Sequence, residues 1–555
     1  MSDALTIVIV GGVAGGASAA TRARRMNEQA EIILFEKDEH VSFANCGLPY
    51  YLGGEIAERD KLVVATPEFL TRRFRLDVRT RQEVQSINRQ NKTVTVRNHA
   101  KGETYEQRYD KLILSPGASP ITPPIDGVKG RNVFTLRNLA DTDRIFEAIH
   151  EVSPKKAVVV GSGFIGLEMV EQLAERGYSL ALVELLPQVL PLLDPEMARP
   201  IEDALRAHHV ELYLGDGLSR ILLDDQGAAR AVELTSGKTV EAGLVILGIG
   251  VRPNTQLAQA AEIAIGPSGG LGANEFMQTN DPDIYAVGDA AEYTYGPTGK
   301  PQRIALAGPA NRSGRLVGEH AATGQAAPMA PVFGTSIVRV FDQTAALTGL
   351  TTKLAERLKT PHRSVTVIAN HHAGYYPGAE PITLKLLYDP DSGRVLGAQA
   401  IGREGVDKRI DVLATAMAFN ATVRDLTGLD LAYAPPFGSA KDIVHIAGFV
   451  ACNQRDGNED LLEAGADLSE KQVVDVRTPA EVKKAPLAGA PHAVNIPLDE
   501  LRSRLEELDP AAATVVSCGV GMRGHAAARI LRQHGFGDVK NLSGGATMRN
   551  RAIRE

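Results

Sequence analysis

The chain opens with an unbroken apolar run, Leu5 to Val10, the pattern of a parallel strand buried on both faces. Gly11-Gly12-Val13-Ala14-Gly15-Gly16 follows, then an alanine-rich helix over Ala17 to Arg25 and a second strand, Glu31 to Phe35, closing on Glu36 and Lys37. Strand, glycine turn, helix, strand and acid make a dinucleotide-binding fingerprint in its required context, with Val13 at the usual middle glycine. The same order returns later. Ala157 to Val160 leads into Gly161-Ser162-Gly163-Phe164-Ile165-Gly166, a helix runs through Arg176, and the strand Ser179 to Val183 ends on Glu184. Two such copies predict two Rossmann-like domains.

Between and after them lie two strand-to-turn pieces. Tyr109 to Ala118 carries Ser115-Pro116-Gly117 at its turn, and Ile284 to Val287 delivers Gly288 and Asp289 at a strand's carboxyl end. Ligands of open α/β sheets sit outside such ends, so Asp289 is a candidate for a cofactor's ribityl or phosphate region; it also reads as an ordinary turn aspartate.

From about Phe333 to Gly448 the pattern changes. Runs at Ser336–Val340, Ala345–Leu347, Ser364–Ala369, Ile382–Tyr388 and Val395–Ala400 precede one apolar helix, Ile410 to Phe419, predicting an α+β domain. The polar stretch Asn453 to Asp460 reads as a linker, with Cys452 incidental beside it. From Leu468 an α/β alternation restarts: strands at Val473–Val476, Val494–Ile496 and Thr514–Ser517, a helical turn at Pro479–Lys484, and a helix from His525 to Gln533.

Composition narrows the classes. The 555 residues are 44% hydrophobic and 23% charged, an ordinary globular balance, and a net charge of −7 gives no pull toward nucleic acid or anionic membrane. The apolar start is too short to span a bilayer. Three widely spaced cysteines make no disulfide framework, which points to a reducing cytoplasm, and no cluster calls for a metal.

Two of those cysteines carry candidate chemistry. In Ser42-Phe43-Ala44-Asn45-Cys46-Gly47-Leu48-Pro49-Tyr50, the thiol stands at a tight bend opening a helix, where helix amides favour the thiolate. A small buried hydrophobe is the other reading of a lone cysteine. Cys518 ends a strand and enters Gly519-Val520-Gly521-Met522-Arg523-Gly524, a loop whose amides and Arg523 favour a reactive thiol holding an anionic sulfur product.

These motifs resemble the flavin-dependent pyridine nucleotide–disulfide oxidoreductases. The stretch around Cys46 is similar to the coenzyme A disulfide reductase signature, together with Ser115 to Ala118, Thr135 to Leu139, Asp407 to Asp411 and Ala432 to Pro436. The tail, with Asp475-Val476-Arg477 and the Cys518 loop, resembles a single rhodanese domain. The fold implied is α/β: an FAD domain (1–118 and 255–328), an NAD(P)H domain (119–254), an α+β dimerisation domain (329–450), a linker (451–467) and a rhodanese domain (468–555).

The resemblance implies FAD on Gly11, Gly12, Val13, Ala14, Gly15, Glu36, Lys37, Asn45, Val84, Ser115, Pro116, Gly117, Gly288, Asp289 and Ala307. It implies NADH or NADPH on Gly161, Gly163, Phe164, Ile165, Gly166, Glu184 and Gly250, with Glu184 favouring the free ribose hydroxyl of NADH. Coenzyme A contacts fall on Ser18, Arg22, Arg25, Ser42, Asn45, Arg73 and Lys441; the family's lysine after Thr66-Pro67-Glu68 is replaced by Phe74 among arginines. Tyr375 and Tyr433, from the partner of a homodimer, complete the thiol site, where a phenol protonates a departing thiolate.

The expected activity is NAD(P)H-dependent reduction of coenzyme A disulfides, coenzyme A persulfides and polysulfides through Cys46, with Cys518 delivering sulfane sulfur. Three rivals are weighed, one of them a flavoprotein redox sensor or binding partner without turnover, which steady-state NADH oxidation with polysulfide would exclude. Flavin NADH oxidases and peroxidases carry a histidine in the first glycine turn, where Ala14 stands here. A sulfur-trafficking carrier working through Cys518 alone leaves the complete second fingerprint without a role.

Overall fold

The computed structural model describes residues 4–553. It divides into two compact units, one of residues 1–187 and 206–334 and the other of residues 188–205 and 335–555.

The first unit holds both dinucleotide folds. One parallel sheet runs in the order Ile284–Ala286, Lys111–Leu114, Thr6–Val10, Glu31–Phe35, Asp77–Arg79. The other runs Glu211–Leu214, Ser179–Glu184, Lys156–Val160, Leu244–Leu247, Val133–Phe134. Ile7, Val8, Ile9, Val158 and Val159 are wholly buried, which explains why these strands read as unbroken apolar runs. Each such side chain contributes about 1.5–3 kcal/mol by leaving water. An antiparallel three-stranded meander is inserted in each fold, at Gln82–Arg108 and at Leu218–Glu241.

The first helix begins earlier than expected, at Ala14, and runs to Met26. It lies against a second helix, Ala307–Thr323, which the sequence pattern had not disclosed. Two glycines permit the approach: a Cβ at Gly314 would stand 2.2 Å from the Gly15 carbonyl oxygen, and one at Gly318 2.3 Å from that of Ala19.

The second unit contains an antiparallel sheet ordered Ser336–Val340, Gln343–Gly349, Val395–Gly402, Pro381–Tyr388, Arg363–Asn370. Helix Val406–Ala418 packs on it, joined by helix Ile443–Arg455. A parallel sheet follows, ordered Asp460–Leu462, Val539–Leu542, Thr514–Ser517, Gln472–Asp475, Val494–Asn495. Residues 188–205 belong here because Asp194 and Glu196 meet Lys385 at 2.9 and 2.7 Å, and Gln399 Nε2 donates to Asp194 at 2.7 Å.

The segment expected as a linker, 451–467, is structured. Its start completes the helix Ile443–Arg455, burying Cys452, and Asp460–Leu462 forms the edge strand of the last sheet. The two parts are joined further by Ser364 Oγ donating to Glu463, Thr366 N donating to Ser543 Oγ, and Arg551 donating to Thr383 Oγ1. A short, polar edge strand has too little apolar pattern to be told from a linker.

Candidate active site

Both glycine turns sit at the carboxyl ends of their sheets. In the first, Gly11 has a φ of 93°, and a Cβ there would lie 2.1 Å from the Ser115 carbonyl oxygen, so Ser115-Pro116-Gly117 closes directly over Gly11. Glu36 is buried and accepts hydrogen bonds from the amides of Gly12 (2.9 Å) and Asp38 (3.0 Å). Burial pushes its carboxyl above the usual range, opposed by those two amides. Lys37 follows on the surface, and Val84 is buried in the adjoining meander. Gly288 and Asp289 form a 3-10 turn, and Ala307 opens the helix that packs on the first.

The second turn is built alike. Glu184 Oε2 accepts from the Ser162 amide (2.9 Å) and hydroxyl (2.7 Å), while Oε1 accepts from Leu186 N at 2.9 Å. Gly161, with a φ of 98°, has no room for a side chain against Gly248, and Gly166 has none against the Gly161 carbonyl. A Cβ at Gly163 would instead meet nothing within 4 Å. Ile165 and Gly250 are exposed.

The residues present fit two dinucleotides. The helices Ala14–Met26, Phe164–Glu175 and Ala307–Thr323 all begin without a side-chain cap. Thr66, Asn138, Thr351, Thr422, Asp442 and Thr478 cap other helices, while Val406–Ala418, Met522–Gln533 and Gly545–Ala552 are likewise uncapped. First-turn amides left free in this way suit phosphate oxygens.

Cys46 lies on a 3-10 turn, Asn45–Gly47, leading into the helix Leu48–Gly53, and it is exposed. Asn45 Nδ2 donates to the Arg137 carbonyl at 3.1 Å, and Arg137 Nη2 meets Asp289 Oδ2 at 3.2 Å. The expected lowering of the thiol pKa is not found. The surrounding protein mass and the carboxylates of Glu168 and Asp289 push it up, with Arg137 opposing. A six-residue helix offers too small a dipole to outweigh two carboxylates.

The coenzyme A residues divide. Ser18 Oγ donates to Asn311 Oδ1, and Arg22 is bound by Glu319, its Nε at 3.0 Å, so its charge is already matched. Arg25 and Arg73 remain exposed, each over a phenylalanine of the helix Pro67–Phe74: Arg25 over Phe74 at 5.0 Å and Arg73 over Phe69 at 5.5 Å. Ser42 holds a φ of 46° in the loop before Cys46. Lys441 is exposed on the second unit.

On that unit Tyr375 and Tyr433 are brought together, hydroxyl to hydroxyl at 3.0 Å, and both are exposed. The bond to Tyr433 pushes the Tyr375 phenol above its ordinary pKa.

Cys518 is buried at the end of its strand, and its Sγ receives the Gly521 amide at 3.1 Å. Gly545 has no room for a side chain, since a Cβ would lie 2.4 Å from the Cys518 carbonyl. Arg477 is clamped by the buried Asp475, Nη2 to Oδ2 at 2.6 Å. Arg523 does not stand free as expected: Glu481 takes both of its terminal nitrogens. Sequence reasoning missed Glu168, Glu481 and the buried Glu459, which contacts His525 at 3.0 Å, and gave Arg137 no role beyond its place in the stretch Thr135 to Leu139. Each acts on its thiol loop from a distant part of the chain.

Among the described residues there is no His/Cys/Asp/Glu group fit to hold a metal ion, and no helix is long and apolar enough to cross a membrane.

Comparison with known proteins accords with this geometry. Residues 5–314 match the family described as pyridine nucleotide-disulphide oxidoreductase, 335–443 its dimerisation domain, and 458–548 the rhodanese-like domain. The chain is 38% identical over 445 residues to the coenzyme A disulfide reductase of Staphylococcus epidermidis, covering 80% of this chain and 99% of that one. It resembles reduced CoADR-RHD of Bacillus anthracis at 47% identity and a TM-score of 0.94, over 99% of this chain and 98% of that one. An NAD-dependent persulfide reductase from A. fulgidus is similar at 36% identity and a TM-score of 0.91, over 98% and 100% of the two chains. The water-forming NADH oxidase of Lactobacillus brevis is 28% identical with a TM-score of 0.78, over 82% of this chain and 100% of that one. Two dinucleotide folds, an antiparallel dimerisation-type sheet and a rhodanese-like tail thus agree with the sequence of each segment, and the chain is an oxidoreductase belonging to the pyridine nucleotide-disulphide oxidoreductase family.

Proposed function

We propose that the protein is an NADH-dependent, FAD-containing reductase of coenzyme A disulfides and coenzyme A persulfides, with polysulfide as a further substrate. The observation that carries the reading is Cys46: an exposed thiol beside the first dinucleotide fold, while Cys452 and Cys518 are buried in the other unit. It works alone, because no second thiol belongs to its unit.

When bound, the flavin supplies two-electron transfer from NADH to sulfur. Glu36 and Glu184 each keep lone pairs for a ribose hydroxyl after accepting their backbone donors. The Cys46 thiolate attacks the sulfur–sulfur bond of the substrate; a Cys46–coenzyme A mixed disulfide forms and a thiolate leaves. Tyr375 and Tyr433 of the partner subunit in a homodimer supply the leaving sulfur's proton. In balance, NADH, a proton and the disulfide give NAD⁺ and two coenzyme A thiols. A persulfide gives one coenzyme A thiol and hydrogen sulfide. The exposed Arg25 and Arg73 offer charge to coenzyme A phosphates, with Ser42, Asn45 and Lys441 as further contacts.

Cys518 carries sulfane sulfur and passes it on, in a reducing cytoplasm. Intact mass of the purified protein before and after reduction tests the reading, by showing coenzyme A released from Cys46. Oxygen consumption with NADH but no turnover of coenzyme A disulfide would favour an oxidase instead.

A further inference from the structure

The one cation of the Cys518 loop, Arg523, interacts with the Cys518 thiol but is matched by Glu481. Arg523 is the only charged residue from Cys518 to Gly524, and Glu481 holds its Nη1 at 2.9 Å and Nη2 at 2.6 Å. Glu481 cannot easily turn away, because its Oε2 also accepts from the Thr478 amide and hydroxyl, both at 2.9 Å. Arg523 and the Thr478 donors hold its carboxyl down to about 2, so it is ionised at any working pH. The next cation along, His525, faces the buried Glu459. Met522, 75% exposed, is what the loop shows to solvent.

A donor therefore meets an apolar side chain and an arginine whose charge Glu481 already matches. Thiosulfate carries two negative charges and would shed hydration here without gaining an unmatched cation. The sulfur group of an organic persulfide carries at most one negative charge and brings carbon beside its sulfur. We propose that Glu481 is a specificity-determining residue of the Cys518 site: by matching Arg523 it turns the loop away from dianionic donors and toward organic persulfides. This rests on the reading that Cys518 carries sulfane sulfur. With either donor the Cys518 thiolate takes the outer sulfur and becomes a persulfide; sulfite leaves from thiosulfate, and the parent thiolate leaves from an organic persulfide.

The test is the ratio of kcat/KM for thiosulfate to that for cysteine persulfide, which carries a single net negative charge, in the full-length protein, with sulfur on Cys518 read by intact mass. A ratio does not depend on the folded fraction. Wild type should favour the persulfide about tenfold or more, with thiosulfate kinetics nearly independent of salt. Glu481→Gln should move the ratio about tenfold toward thiosulfate and make that reaction salt-sensitive, whereas Glu481→Asp should stay near wild type. An unmoved ratio in Glu481→Gln, or a wild type that prefers thiosulfate or shows steep salt dependence with it, would overturn the inference and leave sulfur carriage by Cys518 standing. A Cys518 that gains sulfur from neither donor would overturn that underlying reading.

Discussion

Tyr375 and Tyr433 share a hydrogen bond between their hydroxyl oxygens, 3.0 Å apart, although both side chains are open to solvent. In the proposed reaction the pair holds the proton that is given to the leaving sulfur. The bond raises the Tyr375 phenol above its ordinary pKa.

Tyr433→Phe should lower kcat for coenzyme A disulfide by about a hundredfold, a usual loss for a general acid. Because the bond raises the Tyr375 pKa, its loss should also shift the alkaline limb of the kcat–pH profile to lower pH. A profile unchanged in shape would make the tyrosines surface anchors only.

Glu184 is the residue proposed to set the nucleotide. With both oxygens held by Ser162 and Leu186, it stands as a fixed negative charge that welcomes a ribose hydroxyl and opposes a 2′-phosphate. Glu184→Gln should cut the NADH-to-NADPH ratio of kcat/KM by about tenfold, equivalent to about 1.4 kcal/mol. Equal use of both nucleotides by the wild type would show that the acid does not meet the ribose.

Much of this was legible because it rests on backbone chemistry. Glycines at forced close approaches, an acid ending a strand and unbroken buried runs leave strong local traces, and so Gly11, Glu36, Gly161 and Glu184 stand where the pattern puts them. Partners drawn from far along the chain leave no such trace. Nothing local pairs Arg523 with Glu481, or sets Glu168 beside Cys46. The polar meander Gln82–Arg108 and the edge strand Asp460–Leu462 were hidden for a related reason: half-exposed strands carry too few apolar residues to show their period.

Lys385 should anchor the second unit. It is buried between Asp194 and Glu196, which raise its pKa against the opposing effect of burial. Lys385→Ala leaves uncompensated buried charge and should cost about 3–5 kcal/mol in denaturant unfolding. For Asp194, burial opposes the charge but Lys385 and Gln399 prevail, so its folded pKa is depressed. Its stabilisation is then present above the unfolded value of about 4 and is lost as pH falls through the folded one. For Lys385 the raised pKa keeps its contribution full below about 10.4, with loss only as pH climbs through the folded value. Unfolding midpoints measured across that window should be flat in its middle and fall at both ends.

Cys518→Ser should separate two activities. Reduction of coenzyme A disulfide needs only NADH, FAD and Cys46 in this account, so it should persist, while sulfide release from bulky polysulfide should fall severalfold. Wild-type rates on every sulfur donor would remove the proposed relay.

The central claim is that one exposed cysteine carries the reduction. NADH consumption by Cys46→Ser with coenzyme A disulfide, in protein that still binds FAD, tests it most directly. The account predicts a loss of about a thousandfold or more, since no other thiol lies in that unit to replace it. Turnover near the wild-type rate would contradict the account.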